Sequence, residues 1–205
     1  GAITSSGIIK TDDATEATST TDGSLQTDGG LSVVKDIVAG DDIKLLSDAA
    51  VVHFGADSEI TLTHSADSGL LLKHTATADD KPINLVLQTG ETDMAANDVI
   101  GKISWQAPDE GAGTDAILVS AAIQAVAEGD HSASSNATSL QFMTGASEAA
   151  AAKMVIASDG DVGIGTTAPT RHLHLHDDTQ PYFHMTNNTT GQTTGDGFDI
   201  LIDSS

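Results

Sequence analysis

Ser158-Asp-Gly-Asp-Val-Gly-Ile-Gly-Thr-Thr-Ala-Pro-Thr-Arg-His-Leu-His-Leu-His176 decides how the chain is read. Two short alternating runs, Val162-x-Ile164 and Leu173-x-Leu175, are separated by Gly165-Thr-Thr-x-Pro169. Alternation with a period of two places Val162 and Ile164 on one face of a strand, and the same holds for Leu173 and Leu175. Gly160 and Gly165 punctuate the runs as turn residues, and Pro169 stops any regular element from spanning the gap. The stretch predicts strand, turn and strand, with no helix.

The same grammar extends in both directions. Upstream, Ile43-Lys-Leu-Leu46, Val51-Val-His-Phe54, Ile60-Thr-Leu-Thr-His64 and Leu70-Leu-Leu-Lys-His74 are strand-length runs between Ser-Asp, Gly-Ala-Asp-Ser and Ala-Asp-Ser-Gly turns. Between 81 and 157, Ile83, Leu85 and Leu87 alternate with Asn84, Val86 and Gln88, and Ile103 and Trp105 alternate with Lys102, Ser104 and Gln106. Ile117, Val119, Ala121, Ile123 and Ala125 line one face of a long strand, with Leu140-x-Phe142 and Met154-x-Ile156 completing the set. Downstream, Tyr182-Phe-His-Met185 and Phe198-x-Ile200-x-Ile202 predict two more strands. Only Glu148-Ala-Ala-Ala-Ala-Lys153 favours helix by propensity, and its length allows a turn or one or two helical turns. The expected fold class is all-β: short-stranded modules joined by Gly and Asp turns. The segments are 1–21, a Thr/Ser/Asp-rich linker; 22–80, a shaft-like β-rich module; 81–157, a β-sandwich-like or β-prism-like module; 158–178, a Gly-rich connector; and 179–205, the start of a further, truncated β-module.

Composition narrows the function. Aromatic residues are 3% of the 205 residues, while hydrophobic residues are 39%. Large rings supply much of a compact core's buried area, so this balance suits narrow β-structure whose apolar faces are covered by neighbouring chains. Eight Lys and Arg against 30 Asp and Glu give a formal charge of −22. Such a surface repels phosphate backbones, which argues against nucleic-acid partners. No apolar run reaches membrane-spanning length, which argues against membrane insertion. The absence of cysteine removes disulfides, thiol nucleophiles and thiolate metal sites.

Gly160-x-Val162-Gly-Ile-Gly-Thr166-x-x-Pro169, followed by Leu173-His-Leu175, closely resembles the connector between β-modules of bacteriophage tail fibres and related trimeric virion fibres. Gly23-Ser-Leu25, Gly29-Gly-Leu31-Ser-Val33, Ile37 and Gly40 resemble a motif of phage fibre shafts. The resemblance covers most of residues 22–205 and is most specific at 158–175. It implies an elongated homotrimeric fibre in an extracellular virion appendage, with a structural and adhesive role. Its implied partners are two further copies, other virion or filament proteins, and a host-surface receptor or polysaccharide. Two alternatives stand beside it. One is a cellular adhesin or extracellular filament subunit. The other is a polysaccharide-binding or degrading spike, which requires Trp105 or Tyr182 in a groove beside two carboxylates.

Chemical sites are sparse. His172, His174 and His176 share one face of a strand, opposite Leu173 and Leu175. In a parallel trimer, a His-x-His pair facing the axis gathers six imidazoles, an octahedral transition-metal site. The competing expectation puts the leucines inside and the imidazoles in water. Asp41-Asp42, Asp79-Asp80, Asp159-Gly-Asp161 and Asp177-Asp178 lack the ligand spacing of a calcium loop and read as turns. Gly160, Gly163 and Gly165 precede no amphipathic helix, so a nucleotide site is rejected. No catalytic or cofactor-binding residue is expected.

Overall fold

The computed structural model describes residues 6–7, 31–77, 80–107 and 113–201. The expected linker 1–21, apart from 6–7, and the shaft motif up to residue 30 lie outside the described residues, as does Ile202. The described residues contain eleven strands in three sheets and no helix. They fall into two units, 1–83 and 84–205.

The first unit holds an antiparallel meander of β1 (Val51–Phe54), β2 (Ile60–Ser65) and β3 (Gly69–His74). Register sets its faces. Val52 pairs with Leu62 and Leu62 with Leu72, while Phe54 pairs with Ile60 and Ile60 with His74. One face is therefore apolar and carries His74 at its margin. The other is mixed and carries Val51, His53, Thr61, Thr63, Leu71 and Lys73. The expected strand at Ile43-Lys-Leu-Leu46 does not form, and Ile43, Leu45 and Leu46 are exposed. Among the described residues that run has no neighbouring strand, and β-structure requires one.

The second unit is built on one six-stranded sheet: β4 (Val99–Gln106), β5 (Val119–Ala127), β6 (Thr138–Thr144), β7 (Ala151–Ile156), β8 (Val162–Ile164) and β9 (Leu173–Leu175), adjacent in chain order. All neighbours are antiparallel except β8 and β9, which are parallel. A separate hairpin follows, β10 (Tyr182–Met185) with β11 (Phe198–Leu201). A sandwich is one of the two forms expected for 81–157; the described residues there make a single sheet layer.

Two expected elements differ. Ile83 to Gln88 form no strand, although the alternation is clear; no described strand pairs with them. The Ala-rich run 148–153 forms a turn that leads into β7, without helical turns. The Glu148 carboxylate accepts hydrogen bonds from the amides of Ser147 (3.1 Å) and Ala146 (3.4 Å). Gly145 N–H donates to Ser120 O and Ala150 N–H to Val119 O, tying both ends of the turn to β5. Sheet pairing outweighs the small helix preference of four alanines, worth a few tenths of a kcal/mol each (~0.5 kcal/mol at most).

The connector completes the sheet. Only residues 165–172 link parallel β8 to β9, fewer than the dozen or so that such a crossover usually takes. The link folds tightly over the sheet at Gly163. A Cβ on Gly163 would stand 2.5 Å from Thr166 O and 3.0 Å from Val155 Cγ1. Gly165 takes φ +80°, a left-handed conformation that glycine adopts without steric cost, and its N–H donates to Lys153 O. Val155 under this loop is 1% exposed and is the largest fully buried side chain among the described residues.

Candidate functional site: an apolar sheet face and a polar cleft

Partners across a β-ladder lie on the same face, so register alone assigns every side chain of the six-stranded sheet. Trp105 pairs with Ala121, Ile103 with Ile123, and Ile123 with Phe142. Phe142 pairs with Met154, Met154 with Ile164, and Ile164 with Leu175. A second row runs Ala125, Leu140, Ile156, Val162, Leu173. One face is thus apolar from the first strand to the last. The opposite face carries Lys102, Ser104, Gln124, Gln141, Ser139 and His174.

Among the described residues no second sheet covers the apolar face, and only Leu87 and the hairpin residues Phe183 and Ile200 reach it. Trp105 is 51% exposed and Leu173 54%, and Ile103, Leu140 and Ile164 are exposed too. The buried hydrophobic residues among the described ones are Ala122, Val126, Ala127 and Val155. Ala122, Val126 and Val155 belong to the polar face, where small side chains and the connector shield them. Trp105, Ile103, Leu140, Ile164 and Leu173 are thus more exposed than the small side chains of the polar face.

The hairpin repeats the pattern. Phe183 pairs with Ile200 and Met185 with Phe198 on one face, all four exposed. Phe183 and Ile200 share a 270 Å³ cleft with Leu173, Leu175 and Pro181, so the apolar surface of the sheet continues onto the hairpin. Tyr182, His184, Asp199 and Leu201 form the hairpin's other face. With Gln192, Thr193 and Thr194 they line a 570 Å³ cleft. His184 Nδ1 is hydrogen-bonded to Asp199 Oδ1, and Tyr182 donates its hydroxyl proton to Gln180 Oε1 at 2.9 Å. The turn beside the cleft is held by Asp196, which accepts from Thr193 N–H and Thr193 Oγ1, both at 2.9 Å. Those bonds hold the Asp196 carboxyl below its ordinary value.

The three expected metal ligands are placed as follows. His172 is almost fully exposed, and its Nδ1 is 2.8 Å from Asp161 Oδ1. His174 shares the polar face with Gly163, and its buried Nδ1 has no hydrogen-bond partner. The His174 and His176 rings meet edge-on with centroids 6.2 Å apart. Among the described residues, no three His, Cys, Asp or Glu side chains gather as a metal site. The apolar face was latent in the sequence, since each row is the sum of separately visible alternations. Its continuity was not, because register between strands is a tertiary property. Tyr182 was named for a groove, but the other wall of its cleft was not legible for the same reason: Gln192 to Thr194 reach it only through the hairpin.

No helix among the described residues is long and apolar enough to cross a membrane. No protein-family model matches the chain, and no curated protein sequence matches it.

Proposed function

We propose that the chain is a structural, non-enzymatic segment of a trimeric virion fibre, a phage tail fibre or similar appendage, that projects a host-binding tip. The observation that carries the reading is the apolar face that runs across all six strands and leaves Trp105, Ile103, Leu140, Ile164 and Leu173 exposed. A single layer with one apolar face has to bury it against another layer. Monomeric proteins rarely leave a contiguous apolar surface of this kind open. The likeness of residues 160–175 to connectors of trimeric virion fibres supplies the number three. Closing three such sheets around an axis puts Ile103, Phe142, Ile164 and Leu173 inside and leaves Lys102, Gln124 and Gln141 outside.

Light scattering combined with small-angle scattering tests this. A mass three times 20.8 kDa with an elongated profile is expected, and a compact monomer would overturn the reading. Assembly through the leucine face turns His174 away from the axis, so this form of the proposal places no metal at His172, His174 and His176. Metal analysis of purified protein checks it.

One observation favours a second reading, a polysaccharide-binding surface. Tyr182 lines the 570 Å³ cleft beside Asp199, His184 and Gln192, a ring and hydrogen-bonding groups together, in the volume range of ligand clefts. It holds one lining carboxylate where cleavage needs two, so binding without hydrolysis is the form it takes. Titration with neutral and acidic oligosaccharides, read by loss on Tyr182→Ala, decides it.

A further inference from the structure

Residues 83–88, Ile-Asn-Leu-Val-Leu-Gln, are strand sequence without a strand. Pro82 stands just before them, the position at which a strand tolerates proline. Ile83, Leu85 and Leu87 alternate with Asn84, Val86 and Gln88, yet all six residues are exposed, Leu85 at 71% and Val86 at 76%. None of their backbone groups bonds to another described residue. Backbone N–H and C=O groups beside apolar side chains are satisfied by pairing when those side chains are buried. The segment is held at the right place for this. Leu87 lies on the apolar face, its Cβ 3.0 Å from where a Cβ on Gly101 would stand, and it lines a 160 Å³ groove with Gly101, Ile103, Ile123 and Leu140. Residues 31–38 repeat the condition, with Leu31, Val33, Val34, Ile37 and Val38 all exposed and unpaired among the described residues.

We infer that residues 83–88 form a β-strand with a second copy of this chain, so that the assembly is intertwined and not three separate sheets in contact. The second copy is the fitting occupant because it brings an unpaired edge and an apolar face together. β4 has eight residues and an outer edge with no neighbour, while the opposite edge, β9, has only three. Six residues of strand span about 20 Å, which β4 can take in full and β9 cannot. A paired strand there closes the open edge, which otherwise templates aggregation. The inference rests on self-association through the apolar face and adds that main chains cross between copies.

Hydrogen exchange read by mass spectrometry on the full chain, at concentrations where its mass is known, tests it. A synthetic peptide covering 81–90 supplies the unprotected rate. Expected is a trimer in which the amides of 83–88 exchange at least about 100-fold more slowly than in the peptide. The variant Val86→Pro, which removes a donor and breaks a ladder, should abolish that protection and lower the assembled fraction at least tenfold. Val86→Lys, which keeps the amide, should retain the protection. A trimer whose 83–88 amides exchange like the peptide overturns the intertwining and leaves the fibre reading standing. A protected segment in a polymer that grows without limit upholds strand pairing and overturns the closed trimer. A monomer at every concentration overturns both.

Discussion

Single residues set the tight points of this chain. Gly163 is one of them, because the short crossover between β8 and β9 presses Thr166 onto the sheet beside Val155. Gly163→Ala is expected to destabilise the protein by about 1–3 kcal/mol through overpacking. Gly160 has open space around it but φ +89°. Gly160→Ala should therefore cost only about 1 kcal/mol, from backbone strain alone. Urea melts of the two variants against the parent check the ranking, and equal effects would count against the packing account. Asp196 gives a pH response with a definite sign. The amide and hydroxyl of Thr193 hold its carboxyl below the ordinary 3.8. A lowered folded value means that the stabilisation of this turn is complete above 3.8 and is lost as pH falls below it, through the folded value. The Thr193 amide resonance should shift over that acid range, and Asp196→Asn should abolish the shift.

Elements here are decided by their neighbours more than by their own propensity. Ala151 and Ala152 sit in a strand although their run favours helix, because they pair with Thr144 and Met143 of β6. Ile83 to Gln88 have better strand sequence and no strand, because no described strand stands beside them. The two faces of the sheet should respond differently to charge. Ile103→Asp or Phe142→Asp places a carboxylate in the proposed interface and should yield monomers at concentrations where the parent is assembled. Gln141→Asp, on the opposite face, should leave the mass unchanged. Sedimentation velocity reads both, and equal behaviour of the two faces would sink the interface assignment.

At the scale of the whole molecule, a charge of −22 per chain opposes the association that the apolar face drives. Repulsion between copies reaches roughly 30 Å at 0.01 M salt and about 8 Å at 0.15 M. Association is therefore expected to strengthen as sodium chloride rises across that range, opposite to an assembly held by surface ion pairs. Sedimentation equilibrium at the two salt concentrations checks this, and weaker association at 0.15 M would point to ion pairs. Carboxylates facing solvent then keep the assembled particles apart and soluble.

The all-β class was determined by the sequence alone, because a period of two and Gly/Asp turns are local properties that survive any packing. Val162-x-Ile164 and Leu173-x-Leu175 were legible as strands for that reason, as were β4 to β6 and the Met154-x-Ile156 half of β7. That β8 and β9 run parallel, and that six strands align into one continuous apolar face, only the tertiary structure decided. Register is a relation between distant segments, and shifting one strand by a single residue would have sent Leu173 and Leu175 to the other face. The Tyr182 cleft likewise depended on bringing residues 192–194 back across the hairpin. The alternation at 83–88 is strand-like by itself, but whether it becomes a strand depends on the partner beside it, since a strand completes its hydrogen bonds only against another backbone.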